Sequence, residues 1–90
     1  MYKIIRIRTH SGENKSDPTN RIGRIMDIDP NTIIIGRSFY MDCVFPGMLK
    51  SMITSPVVEW KYTETGLRVT TLNSIYDFEE VRDGDTTGNL

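Results

Sequence analysis

The chain has 90 residues, of which 38% are hydrophobic, and its 11 basic and 12 acidic side chains give a net charge of -1 at neutral pH. This length allows one small domain, and no apolar run is long enough to predict a membrane-spanning helix. The acidic balance argues against a protein bound along duplex DNA, which needs many Lys and Arg contacts to phosphate. Cys43 is the only cysteine, so no intrachain disulfide is expected, and a reducing cytoplasmic compartment is favoured.

Side-chain branching predicts the fold class. Ile, Thr and Val together supply 26 of the 90 residues, whereas Ala and Gln are absent. Branched side chains lose rotamer freedom in helices and pack well on a pleated sheet. We therefore predict a mostly-β domain over residues 1–81, either a small SH3-like barrel or a compact β-sandwich of five to seven short strands. Residues 82–90 contain little to bury and predict a flexible tail.

The first predicted strand runs over residues 2–9, with Ile5 and Ile7 on one face and charged side chains on the other. Its alternation of charge and bulk is unlike a signal peptide. A polar loop at residues 10–20 follows, which is long for so small a domain and is expected to be mobile or functional. Residues 21–29 resume the alternation, with Ile22, Met26 and Ile28 on one side.

The middle of the chain predicts two further strands. Residues 33–35 are three consecutive isoleucines, a pattern typical of a strand covered on both faces, and Gly36 ends it. In the next strand, residues 38–45, the odd-numbered side chains point one way, and Pro46-Gly47 predicts a closing turn.

Three more strands are predicted in the last part. Residues 57–62 place Val58, Trp60 and Tyr62 on one side and Val57 on the other. A hairpin loop at residues 63–66 leads to a return strand at 67–72, whose Thr71 shares a side with Val69. The last strand, residues 75–81, places Tyr76 and Phe78 together, and none of these segments predicts an amphipathic helix.

Catalytic patterns are weak. A nucleophile–base pair would require His10, the only histidine, to meet Cys43 or a serine across space. Cys43 shares the predicted core face of its strand, which favours packing over reactivity. One Cys and one His fall short of a zinc ligand set, and no glycine-rich phosphate loop is present. We predict a protein that is not an enzyme and has no catalytic residue, metal or cofactor.

Two polar clusters carry more information, because both lie where strands are predicted to begin, bend or turn. They are Thr54-Ser55 before Pro56, and Asn73-Ser74 before Tyr76. Hydroxyl and amide groups both donate and accept hydrogen bonds, which suits them to a polar ligand or a partner's backbone. Local turn formation and core filling explain the same residues structurally.

These segments also carry a resemblance. Residues 54–57 (TSPV) and 69–76 (VTTLNSIY) resemble the C-terminal hairpin of small uncharacterised β-proteins encoded by phages and other mobile elements, over residues 53–79. The resemblance implies a compact, non-catalytic protein made during infection, and some proteins of this kind inhibit a host defence system. Such an inhibitor would sequester a nucleotide signal or bind a defence protein.

We therefore predict a binding protein whose partner is a host protein or a small nucleotide, without membrane association and as a homo-oligomer. The candidate binding residues are Arg37, Tyr40, Thr54, Ser55, Asn73, Ser74 and Tyr76. Arginine would supply charge for a phosphate or an acidic partner, tyrosine a stacking face, and the hydroxyl and amide groups orientation.

The alternative is a nucleic-acid-binding barrel that uses Arg6, Arg8, Arg21 and Arg24. Residues 1–37 carry seven basic and four acidic side chains, which favours this alternative. Residues 38–90 hold most of the aromatic side chains but carry four basic and eight acidic groups, which disfavours base stacking beside a positive groove. A third interpretation, an enzyme, requires His10 beside a carboxylate or Cys43.

Overall fold

A computed structural model of the chain describes residues 1–45 and 51–81. Six antiparallel strands close into a barrel, which confirms the mostly-β prediction and selects a barrel over a sandwich. The strands are β1 (Tyr2–Arg8), β2 (Ile25–Asp27), β3 (Ser38–Phe45), β4 (Met52–Tyr62), β5 (Gly66–Thr71) and β6 (Ile75–Glu80). No helix among the described residues has the length and hydropathy needed to cross a membrane.

The barrel is a meander in which each strand pairs with the next along the chain. Pairing of β1 with β6 closes it, through a register that joins Tyr2 to Glu80 and Arg8 to Ile75. Short β2 bridges β1 and β3, whereas the 11-residue β4 pairs with β3 through its first half and with β5 through its second. In the described part of the chain every strand therefore pairs, at least in part, on both sides, unlike the edge strands of an open sheet, which are prone to aggregation.

Apolar side chains fill the interior of the barrel. Leu67, Val69 and Thr71 of β5 are buried at every second position, so the predicted inward orientation of Thr71 is confirmed. The rings of Tyr76 and Phe78 stack with centroids 6.3 Å apart, as the sequence pattern predicts. The core therefore follows the two-residue period expected of strands with one buried face.

The prediction for β1 is wrong by one position. Ile4 and Ile7 are completely buried, whereas Ile5 is exposed. The register with β6 shifts between Ile4 and Arg6, which marks a β-bulge. An extra residue in a strand reverses the side-chain alternation beyond it, so the core faces on the two sides of the bulge differ in parity.

The prediction for β4 is also wrong, and a β-bulge is again the reason. Val57 is buried and Trp60 packs against the core, while Val58 and Tyr62 are exposed. The register with β5 shifts between Val57 and Glu59. The bulge at Val58 thus places both Val57 and Trp60 on the core side of β4, although strict alternation would put them on opposite faces.

Residues 21–36 differ most from the sequence prediction. The strand β2 covers only three residues, and Ile22 is exposed while Met26 and Ile28 are buried. A 3-10 turn at Pro30–Thr32 follows, and of the three consecutive isoleucines only the first, Ile33, is buried. The predicted doubly covered strand at residues 33–35 is therefore wrong. The chain turns there and Gly36 has a φ of 91°, a left-handed conformation that suits glycine.

The predicted loop forms a folded lobe beside β1. Residues 9–13 make a tight turn, and the backbone N–H of Lys15 donates to the carbonyl of Ile7 at 2.9 Å. Next to β1, Gly23 and Arg24 form backbone hydrogen bonds with Ile4. The turn predicted at Pro46-Gly47 and the tail predicted at residues 82–90 lie outside the described residues.

Candidate functional site

Three arginines surround one carboxylate on the outer face of the barrel. We call this group, Arg6, Arg8, Arg68 and Asp77, the arginine cluster. Asp77 lies on β6 between Tyr76 and Phe78, so strand alternation directs its side chain outward while its neighbours fill the core. Arg6 on β1 and Arg68 on β5 are its partners in register, one on each side of β6.

The ion pairs in the arginine cluster are close. The Arg68 Nε lies 2.7 Å from Asp77 Oδ1, and the Arg8 Nη2 lies 2.8 Å from Oδ2. The Arg6 Nε is 3.5 Å from Oδ2. The Asp77 side chain is only 7% exposed, and a carboxylate so far removed from water requires charged partners. Asp77 therefore holds the three guanidinium groups in place.

Positive charge is in excess in this cluster, since one carboxylate faces three guanidinium groups. Their side chains are 50% (Arg6), 34% (Arg68) and 17% (Arg8) exposed. Each guanidinium has five N–H donors, and Asp77 occupies few of them. The Arg8 Nε is buried and has no hydrogen-bond partner among the described residues. Lys61, opposite Arg68 in register on β4, adds another positive charge nearby. The outer face can therefore accept an anion.

A surface depression of about 270 Å³ adjoins the cluster. It is lined by Arg6, Arg68, Asp77, the hairpin residues 63–65, Ile5 and Phe78. Its ionic groups, two arginines with Glu64 and Asp77, balance in charge. Two threonines of the hairpin lie among the lining residues. The depression thus shares Arg6, Arg68 and Asp77 with the arginine cluster and adds the hydrogen-bonding groups of the hairpin beside them.

The sequence-predicted polar clusters meet at one end of the barrel. The Ser55 hydroxyl donates to Thr71 Oγ1 at 2.8 Å and accepts the Asn73 backbone N–H at 3.3 Å. Thr71 Oγ1 also accepts the Ser74 backbone N–H and donates to the Ser74 carbonyl, both at 3.1 Å. We call Ser55, Thr71, Asn73 and Ser74 the hydroxyl rim. Its hydroxyls largely satisfy each other and the backbone, which is the structural role that the sequence also allows.

The remaining predicted binding residues lie apart from this rim or inside the barrel. Thr54 is buried, and its hydroxyl accepts the Phe39 backbone N–H at 3.0 Å. Tyr76 is a core residue. The Tyr40 hydroxyl, on the outside of β3, contacts Asp42 and Ser51. Arg37 is exposed just before β3 and bonds to β4 only through its backbone. Their predicted joint role in binding stays a prediction.

Two side chains of the loop also reach the hydroxyl rim. His10 Nε2 lies 2.7 Å from the carbonyl oxygen of Thr71. The Lys15 ammonium donates to Ser74 Oγ at 2.9 Å and to the Asn73 carbonyl at 3.1 Å. These contacts join residues about sixty positions apart and attach the loop to the turn between β5 and β6. His10 here serves as a loop contact, and the described residues contain no group of three or more metal-ligating side chains.

Arg21 and Arg24, two of the arginines predicted to bind nucleic acid, are engaged within the loop. The Arg24 Nη2 donates to the Thr19 carbonyl at 2.6 Å, and the Arg21 Nε pairs with Asp17 at 3.1 Å. Partial burial favours the neutral form of Asp17. Hydrogen bonds from the Ile22 and Arg21 backbone N–H groups and the Arg21 guanidinium outweigh that effect, so the pKa of Asp17 lies below its ordinary value.

The comparisons give no family assignment: no protein-family description matches the chain, and no curated protein or solved structure is significantly similar to it. Sequence reasoning identified Arg6 and Arg8 but missed Arg68 and Asp77. A lone acidic residue between two aromatic ones in β6 was the available signal. Its partners on β1 lie about seventy residues away, and only barrel closure brings them together.

Proposed function

We propose that this protein is a non-catalytic binding protein that captures a phosphate-bearing ligand on the arginine cluster. The excess of three guanidinium groups over one buried carboxylate carries the proposal. A guanidinium matches phosphate geometry through paired N–H donors and binds it more specifically than an ammonium group. Asp77 already orders the arginines, so an incoming phosphate meets donors whose conformational entropy is partly lost before binding.

The adjoining depression favours a nucleotide over a bare phosphate. Its lining is charge-balanced and includes Thr63 and Thr65, which suits the neutral sugar or base edge of a nucleoside. A second phosphate would meet Glu64 there and be repelled. We therefore expect the phosphate to lie over Arg6 and Arg68, with the nucleoside part directed toward the hairpin at residues 63–65.

The test is calorimetric titration of the full chain at low ionic strength with four probes. These are a nucleoside monophosphate, the nucleoside alone, inorganic pyrophosphate and a short single-stranded oligonucleotide. The monophosphate should bind and the nucleoside alone should not. Raising the salt concentration should weaken binding, because the exposed guanidinium groups are screened.

The decisive variant is Arg6→Ala. Arg6 is the most exposed of the three arginines and has the longest contact with Asp77, so its loss should leave the barrel intact. We expect affinity for the monophosphate to fall about tenfold, the effect of one charge-assisted hydrogen bond. Arg37→Ala is the comparison variant, because Arg37 is exposed outside the cluster: the arginine-cluster proposal predicts wild-type binding, whereas the sequence prediction for Arg37 predicts weaker binding. Normal binding by Arg6→Ala, or no binding of any phosphate probe, would contradict the proposal.

The resemblance to mobile-element proteins suggests the biological role. We propose that the protein acts in the host cytoplasm as an inhibitor of a defence system by sequestering a nucleotide signal. Mass spectrometry of small molecules retained by the purified protein would identify such a signal. Tighter binding of the oligonucleotide than of any nucleotide, with a steeper salt dependence, would instead support the nucleic-acid-binding alternative.

A further inference from the structure

A second surface of the barrel is apolar. It follows the middle of β4, and its members are Ile34, Ile35, Tyr40, Ile53, Val58 and Leu72, which are 48 to 68% exposed. We call these six residues the apolar surface. Tyr40 lies opposite Ile53 in register, the Leu72 N–H bonds to the Pro56 carbonyl, and Gly36 next to Ile35 bonds to Val57. Contiguous exposed apolar surface of this kind typically marks a binding interface.

Charged residues flank the apolar surface in a self-complementary arrangement. Arg37 lies at one end of β3 and Asp42 lies toward the other, with Tyr40 between them. Among the described residues neither Arg37 nor Asp42 takes part in an ion pair. Asp42 also lies directly opposite Asp27 of β2 in register, and both are exposed. Two facing carboxylates repel each other unless a cation approaches them.

We propose that the apolar surface binds a second copy of this chain. In a two-fold dimer the same surface meets itself, so a residue at one end contacts the residue at the other end of its partner. The axis would pass near Tyr40 and Ile53, which places Arg37 of each copy beside Asp42 and Asp27 of the other. Six exposed apolar side chains with oppositely charged residues on either side of them are the arrangement that a two-fold interface with an apolar centre and a polar rim requires.

This inference does not depend on the phosphate site. The apolar surface is built on β3 and β4, together with Ile34 and Ile35 before β3 and Leu72 after β5. The arginine cluster lies on β1, β5 and β6. In a six-stranded meander closed between β1 and β6, β3 and β4 are on the side opposite that junction. Loss of self-association therefore need not affect phosphate binding, and the two proposals fail separately.

The first experiment is sedimentation of the full chain from micromolar to near-millimolar concentration. We expect a reversible dimer. Ile53→Lys should weaken dimerisation by about tenfold or more, since it buries a charge at the interface centre. Ile22→Lys is the matched control, because Ile22 is similarly exposed on the loop before β2 and should dimerise normally. A wild-type monomer at every concentration, or an unaffected Ile53→Lys dimer, would overturn the inference.

The second experiment tests the two-fold arrangement with charge reversals. Arg37→Asp alone and Asp42→Arg alone should each weaken the homodimer, because both create like-charge contacts. An equal mixture of the two variants should recover association, because every contact between positions 37 and 42 in the mixed dimer again joins a carboxylate to a guanidinium. Failure of the mixture to associate better than either variant would overturn the proposed pairing. Thermal unfolding of each variant verifies that the barrel remains folded.

Discussion

At the scale of single residues, a buried polar atom that forms hydrogen bonds within the protein indicates a structural side chain. Thr71 is fully buried, and its hydroxyl satisfies both the N–H and the carbonyl of Ser74 while accepting from Ser55. The hydroxyl thus gives the Ser74 N–H its acceptor and adds a second donor to the Ser74 carbonyl, which also accepts the Thr71 backbone N–H at 2.8 Å. The polar residues that suggested a ligand site in the sequence therefore form hydrogen bonds that stabilise the turn between β5 and β6.

Thr71→Val should reduce the free energy of unfolding by about 2 kcal/mol, because the isosteric side chain leaves the buried Ser74 N–H without its hydrogen-bond acceptor. Thr70→Val, one residue earlier, is the control and should change it by less than about 0.5 kcal/mol. Chemical denaturation followed by tryptophan fluorescence measures both. Equal effects of the two substitutions would show that the hydroxyl rim contributes nothing specific to stability.

Asp17 predicts a pH dependence. Its folded-state pKa lies below the ordinary value of 3.8. The unfolded chain therefore takes up the proton first on acidification, and the stabilisation by Asp17 is complete above about pH 4 and disappears as the pH falls through the folded-state pKa. We expect Asp17→Asn to lower the free energy of unfolding by about 1 kcal/mol at neutral pH, the order of a lost hydrogen bond to a charged group.

The measurement is denaturation of wild type and Asp17→Asn at several pH values. The difference between them should shrink as the pH falls below about 4, because the wild-type carboxyl then becomes neutral as well. Glu13→Gln serves as the control, since Glu13 is exposed in the same loop and forms no ion pair among the described residues. A pH-independent difference would mean that Asp17 acts through packing and not through its charge.

At the scale of elements, the barrel depends on close approach between β5 and β6. Gly66 begins β5 opposite Glu79, and a Cβ built there would collide with the carbonyl oxygen of Phe78. The colliding atoms belong to backbone, which cannot move aside without disturbing the pairing of β6. This position therefore needs glycine for space and not for an unusual φ.

Gly66→Ala should reduce the free energy of unfolding by about 3 kcal/mol, within the upper range for overpacked sites. Gly12→Ala tests the effect of backbone conformation without a steric clash, because nothing lies near the Cβ position of Gly12. Its φ of 96° strains an L-residue, so the substitution should reduce the free energy of unfolding by about 1 kcal/mol. Thermal unfolding of both variants tests the order of the two effects. A milder effect of Gly66→Ala than of Gly12→Ala would contradict the close-approach argument.

At the scale of the whole molecule, the closed sheet places the arginine cluster and the apolar surface on different sides of the barrel. Positive side chains from the first and second halves of the chain meet across β1, β6 and β5, although the second half is acidic overall. The apolar surface lies around β3 and β4. We therefore interpret the barrel as a scaffold with two separate binding faces, one for a phosphate-bearing ligand and one for a second copy.

The fold class and much of the core follow from the amino-acid pattern alone. Branched side chains with a two-residue period predict strands whatever their order, so β3, the second half of β4, β5 and β6 are recognisable from sequence alone. The inward position of Thr71 and the pairing of Tyr76 with Phe78 follow from the same local rule.

The positions where strict alternation fails, and the contacts between distant residues, depend on how the strands pair in the folded barrel. The bulges after Ile4 and at Val58 depend on the strand paired alongside, so the sequence of one strand cannot locate them. The turn that exposes Ile34 and Ile35 likewise depends on how the chain returns to β4. The arginine cluster exists because β1 pairs with β6, a contact between residues about seventy positions apart that no local pattern encodes.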